Sequence, residues 1–278
     1  MARITLRHPL YSAVLKTQRA KAHLQLLDAR IASFVKRNPY TISENQRGEY
    51  LEYFIKRKGR LPNSWGFLVG DFTHNLRSAL DHVAFAFNQR ASPSLAVKPW
   101  VCQFPIFDTY PVYNSSGKKQ FPGSPRGVKR LVKNLQPYHR GKRPELQLLS
   151  LLRDLDNTDK HRTITPVFDD TSFKISEELD EPNFPGHTTF DLDRGGYAVI
   201  LTPRVREKIK DKLKPHLTAE IVFDVEESRT GTVYRINMRT LHQMHAFVSD
   251  GVIPRFSDFF KKTIEDRWRT VWVTRPLK

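Results

Sequence analysis

Apolar residues recur at helical spacing along the first part of the chain. Between Tyr11 and Lys36, Val14, Leu15, Ala22, Leu24, Leu26, Leu27, Ile31 and Phe34 make a stripe that predicts one long helix. Lys36, Arg37 and Asn38-Pro39 supply its stop. Tyr40 to Arg57 reads as two strands about the turn Asn45-Gln46-Arg47-Gly48, the second strand rich in aromatic and β-branched residues. Pro62-Asn63-Ser64 opens a second helix, with Asn63 or Ser64 as N-cap, running to about Asn88. Phe72, Leu76, Ala79, Leu80, Val83 and Phe87 share one face of it. Asp71, His74, Ser78, Asp81 and His82 share the other, and Arg77 lies at the border.

Ser92 to Arg126 is Pro-rich and irregular, with Phe104-Pro105-Ile106-Phe107 expected in the core. Arg126 to Leu135 predicts a short basic helix. Pro144 begins another, buried through Leu146, Leu148, Leu149, Leu151, Leu152 and Leu155 and ending over Asn157 to Arg162. The pattern changes after Thr163. Ser172–Ser176, Thr188–Leu192, Tyr197–Leu201, Leu217–Val225 and Thr232–Asn237 have strand character, and Glu177 to Glu181 reads as an acidic turn. A last helix, Met238 to Lys262, carries Leu241, Met244, Phe247, Val248 and Ile253. The fold class is α+β. Residues 1–165 form a helical region with a small β-hairpin near 40–57, and 166–278 an antiparallel β region with a returning helix at 238–262. The same elements also suit one compact domain.

With 278 residues and 39% hydrophobic content, the chain has enough to build a substantial core. The single cysteine, Cys102, excludes an internal disulfide and a cysteine-cluster metal site, and fits a reducing compartment. No run approaches the roughly 18 apolar residues of a membrane span, and Met1 to Leu6 lacks the apolar core of a secretion signal. The reading is a soluble, cytoplasmic protein without a membrane partner. Net charge changes the picture: it is +17, and from Lys118 to Arg143 there are nine Lys/Arg and no Asp/Glu. Such a segment suits a phosphate backbone, through Lys129, Arg130, Lys133, Arg140, Lys142 and Arg143. It equally suits a solvated surface that keeps the protein dispersed. Tyr138 and His139 beside Arg140 are compatible with base stacking.

The second helix carries the candidate chemistry. Arg77 and Asp81 are four positions apart and can form an ordinary helix ion pair. Arg77 and His82 lie about 140° apart around the axis, so both reach over the polar side without stacking on each other. On the plain reading, Asp81 holds Arg77 and His82 is simply polar. Asp159-Lys160-His161-Arg162 has two readings as well. Positive side chains at a helix C-terminus complement its dipole, which suits Lys160. Alternatively Lys160, His161 and Arg162 join Arg77 and His82 in one cationic pocket, which suits His161. Asp81, His82, Asp156, Asp159 and His161 offer metal-ligand atoms, but their spacing matches no metal signature. His242 and His245 sit among Leu241 and Met244, as in ordinary helix packing. No metal and no cofactor is expected.

Arg77-Ser78-Ala79-Leu80-Asp81-His82 resembles the arginine, four-to-six residues, histidine motif of the HEPN superfamily, with Ser78 where that group often has Asn, Asp or His. More broadly, Gly70 to His82, Phe104-Pro105-Ile106, Gln136-Pro137-Tyr138 and Asp156 to Arg162 resemble a set of uncharacterised bacterial proteins without an assigned activity. The superfamily resemblance implies a HEPN-like helical core built on the two long helices. It also implies a metal-independent endoribonuclease or RNA-binding protein. His82 would be general base on an RNA 2′-hydroxyl, Arg77 would sit on the scissile phosphate, Asp81 would orient either, and His161 would join them. Lys160 and Arg162 would add to the nucleic-acid contacts. The product would carry a 2′,3′-cyclic phosphate, and a homodimer would complete the site. The competing reading is a non-catalytic basic module that binds nucleic acid or an acidic protein.

Overall fold

Small side chains decide how the first helix packs. α1 (Tyr11–Lys36) buries Ala13, Thr17, Ala20, Leu24 and Leu27, a seam that advances by three and four residues. The stripe expected from the largest apolar residues is therefore displaced: Leu15 and Leu26 are each 44% exposed. Alanine and threonine admit a neighbouring backbone more closely than leucine does, so the seam follows them.

The computed structural model describes residues 8–37, 39–48, 50–91, 102–169, 187–191, 196–201, 220–226 and 230–260. The expected strand at 172–176, the acidic turn at 177–181 and the end of the last helix lie outside them. The chain separates into two compact units, one of residues 1–27, 64–165 and 223–278, the other of 28–63 and 166–222. The change of pattern near residue 165 falls at one of their junctions.

The second unit is built on an antiparallel sheet. β1 (Tyr40–Arg47) and β2 (Tyr50–Arg57) pair from Tyr40↔Arg57 to Arg47↔Tyr50. Gly48 turns the hairpin with φ 62°, a left-handed conformation that favours glycine. The turn is tighter than the expected Asn45 to Gly48, because Asn45, Gln46 and Arg47 continue the ladder opposite Glu52, Leu51 and Tyr50. β5 (Gly196–Leu201) joins β2 with Leu51 opposite Leu201, and β4 (His187–Asp191) completes the order β1-β2-β5-β4. β3 (Thr165–Asp169), β6 (Glu220–Glu226) and β7 (Val233–Asn237) form a second sheet in the order β3-β6-β7. The sequence pattern missed β3, a five-residue strand with proline at its second position.

In the first unit the central element is α2 (Ser64–Ala91). The six residues assigned to its apolar face are all buried, and so are Trp65, Leu68, Val69, Thr73 and Asn75. Around it lie the short α3 (Tyr110–Ser115), the basic α4 (Arg126–Leu135) and α5 (Leu148–His161). Pro144 does not open α5. It begins a short 3-10 turn, Pro144–Leu146, and the α-helix starts only at Leu148. α6 (Met238–Ala246) is capped by Asn237, whose side chain accepts from the Thr240 N–H at 3.0 Å. It widens into a π turn over Phe247–Val252 and resumes as α-helix to residue 260.

The core is strongly aromatic. Phe87 meets Phe260 at 4.5 Å and Phe256 at 5.7 Å between ring centroids, and Phe104 meets Phe121 edge-on at 5.9 Å. Each such side chain contributes about 1.5–3 kcal/mol by leaving water. Among the described residues, no helix is long and apolar enough to cross a membrane.

Candidate functional site

The polar side of α2 faces α5 across a seam set by two glycines. A Cβ on Gly66 would overlap the Ile164 carbonyl oxygen and stand 3.0 Å from its carbon. A Cβ on Gly70 would overlap the Asp159 carboxylate, with Oδ2 at 2.7 Å. Glycines four apart thus let the end of α5 and the residues after it lie directly on α2. Asp156, on α5, is 3% exposed at its side chain and lies between His74 and Lys160. His74 Nδ1 is 3.3 Å from Oδ1, and Lys160 Nζ donates to Oδ2 at 2.5 Å. Burial raises the Asp159 carboxyl above its ordinary value, helped by the charges of Asp156 and Asp71 and opposed by His74 and Lys160.

Further along the seam, Arg77 Nη2 pairs with Asp81 Oδ1 at 3.2 Å, with side chains 15% and 32% exposed. The same Asp81 oxygen accepts the backbone N–H of Phe104 at 2.7 Å. Burial raises the Asp81 carboxyl, against the pull of Arg77 and the Phe104 N–H. Arg77 Nη1 is buried without a hydrogen-bond partner. His82 is half-buried. Burial lowers its pKa, the charge of Lys16 on α1 adds to this, and Asp81 opposes it. Cys102 is raised by burial and by the charge of Asp81. The structure therefore brings Arg77, Asp81, Asp156 and Lys160 to one seam. His161 is exposed on the last turn of α5, and Arg162 pairs with Glu226. His245, one of the α6 pair, donates from Nε2 to the Thr17 carbonyl at 3.1 Å, a packing contact. No group of three or more His, Cys, Asp or Glu among the described residues is placed to hold a metal ion.

Several residues of the wider resemblance carry one structural task. The extended segment 104–108 is buried, and side chains serve its backbone. Asp81 takes the Phe104 N–H, Gln136 Oε1 takes the Phe107 N–H at 3.0 Å, and Gln136 Nε2 donates to the Pro105 carbonyl at 2.9 Å. Asp108 then accepts Ser150 Oγ at 2.5 Å and pairs with Arg153 at 2.9 Å. A buried backbone group left unpaired is costly, and an irregular segment inside a core needs such partners. Gln136 is an amide at the C-cap of an amphipathic helix, the one sequence signal of this structural task.

The basic segment makes a separate feature. Lys118, Lys129, Arg130 and Lys133 line a hollow of about 350 Å³, with Tyr113, Phe121 and Val132 among its apolar lining. Lys129 Nζ donates to the Pro122 carbonyl at 2.8 Å, and Lys133 Nζ lies 5.4 Å from the centre of the Tyr110 ring. Tyr110 and Tyr113 both pack against Tyr138, at 5.8 Å each. Burial, with the neighbouring Tyr113 and Tyr110, pushes the Tyr138 hydroxyl up to about 12. Arg140 instead lies over Phe247 at 5.0 Å, and Arg143 pairs with Glu145 at 3.0 Å, while Lys142 is exposed. Of the expected nucleic-acid contacts, Lys129, Arg130 and Lys133 thus share a hollow, and Lys118 is the member the sequence reading did not single out. Comparison with protein-family models, curated proteins and solved structures returns no match for the chain.

Proposed function

We propose that the chain binds RNA through the cationic surface of α4 and its flanks. The observation that carries this reading is the convergence of Lys118, Lys129, Arg130 and Lys133 on one hollow in a chain of net charge +17. Four cations at one concave site attract a phosphate backbone and release its counterions. With single-stranded RNA, phosphate contacts at these cations give a negative slope of log affinity against log salt, about −0.7 per phosphate neutralised. Lys→Ala and Arg→Ala changes at these positions weaken binding and make the slope shallower. A fluorescence-anisotropy titration across salt concentrations checks this, and affinity that ignores both salt and these substitutions defeats it.

Two observations favour a second reading, metal-independent RNA cleavage on α2 in a HEPN-like manner. Burial keeps the His82 imidazole neutral near pH 7, the form a general base requires, and Arg77 keeps one buried nitrogen without a partner. Against it stands the engagement of Arg77 by Asp81. RNA cut in the presence of EDTA by the parent, and left intact but still bound by His82→Ala, would establish cleavage. Binding without any cleavage leaves the first reading alone.

A further inference from the structure

The hollow beside α4 has a shape that a bare cation patch lacks. At about 350 Å³ it sits at the lower end of the roughly 300–1,000 Å³ typical of sites that enclose a small molecule. Its lining combines apolar and cationic residues: Phe121 and Val132 are apolar, and Lys118, Lys129, Arg130 and Lys133 are cationic. Tyr110 stands outside that lining, and its ring, 46% exposed, lies 5.4 Å from Nζ of the lining Lys133. Tyr110 is held in place by the edge contact with Tyr138. An exposed, fixed aromatic ring beside clustered cations is the arrangement that stacks a base while its phosphate is neutralised.

We infer that this hollow and the Tyr110 ring beside it together hold one nucleoside monophosphate unit, its phosphate in the hollow among Lys118, Lys129 and Arg130 and its base outside it against Tyr110. The inference rests on the RNA-binding reading and narrows it to an unpaired nucleotide taken out of the strand. The unit can come from within an RNA strand or as a free nucleotide, and both present the same planar ring and phosphate.

The test titrates the full chain with AMP, UMP, inorganic phosphate and a labelled hexauridylate, with saturation-transfer NMR reading the base protons. Mononucleotides should compete with the hexamer and show saturation at the base, and phosphate alone should compete far more weakly. Tyr110→Ala should weaken mononucleotide and hexamer alike by about tenfold, and Tyr110→Phe should restore both, since stacking needs the ring and not the hydroxyl. Lys118→Ala and Arg130→Ala alter exposed side chains, and thermal melts confirm that those variants fold. They should weaken AMP as well as the hexamer. Hexamer binding with no mononucleotide competition and no effect of Tyr110→Ala would overturn the pocket while leaving strand binding intact. No binding by either ligand would overturn both.

Discussion

Asp81 is predicted to hold the fold by its oxygen more than by its charge, and three variants separate the two roles. Asp81→Ala removes the acceptor of the Phe104 N–H, a 2.7 Å bond to an otherwise buried segment. An orphaned buried donor costs about 1–3 kcal/mol. It also strips Arg77, 15% exposed, of a carboxylate that is itself 32% exposed, which adds about 1 kcal/mol. The sum is about 2–4 kcal/mol, or roughly 5–15 °C in Tm for a protein of this size. Asp81→Asn keeps an oxygen for Phe104 and loses only a charge that burial disfavours, so at pH 7 it should cost far less than Asp81→Ala. Arg77→Met leaves the Phe104 bond in place and should also cost less than Asp81→Ala. The pH dependence gives the sign. The folded carboxyl of Asp81 lies above the ordinary value of 3.8, with burial the largest cause. Between those two values the native state binds more protons than the unfolded chain, so this group's contribution to stability increases as pH falls. Asn at that position cannot do this. The stability of the parent relative to Asp81→Asn should therefore rise on acidification, measured by urea melts from pH 7 down to pH 4. A relative stability that falls would mean that the Arg77 pair dominates and the carboxyl is depressed, and the reasoning would fail. A Tm for Asp81→Ala within a degree of the parent would refute the role of the Phe104 bond.

His82 supplies a prediction of opposite slope. Its folded pKa lies below 6.5, so on acidification through that value the unfolded chain takes the proton first and stability is lost; the parent should lose stability relative to His82→Gln below pH 6.5, and parallel profiles would contradict the burial argument. Gly66→Ala gains about 1 kcal/mol of helix propensity but must displace the Ile164 backbone. Overpacking of this kind costs about 1–3 kcal/mol, so a net loss in Tm is expected, and a melt at or above the parent's would show that the seam can open without cost.

The long elements were legible because their signals are local. The extents of α1 and α4 match the spacing-based reading, and the β1–β2 hairpin follows from a turn with Gly48 in the left-handed region. What escaped was set by partners distant in sequence. Which of the apolar residues of α1 go inside depends on the closeness that Ala13, Thr17 and Ala20 permit, and periodicity alone ranks Leu15 above them. The start of α5 was misplaced because proline fits the first turn of a 3-10 segment as readily as that of an α-helix. β3 is too short, and too interrupted by Pro166, to show alternation.

For the candidate site, residue types were legible and their tasks were not. A helix carrying arginine, aspartate and histidine looks the same in sequence whether the aspartate faces a ligand or a backbone amide. Here Asp81 faces the Phe104 amide, and the partner comes from a residue 23 positions on. The Gly66 and Gly70 spacing was the available clue that something lies flat on that side of α2, because glycine inside a helix is unfavourable unless another chain needs the room. Taken with Gln136, which serves both Phe107 and Pro105, it accounts for much of the polar pattern by folding requirements alone. The cations of the hollow beside α4 are different in kind. Lys118 and Arg130 are exposed residues at a concave site, and the stability of the core asks for neither. Surface charge that folding does not require, gathered where a ligand would fit, is the stronger ground for a binding function.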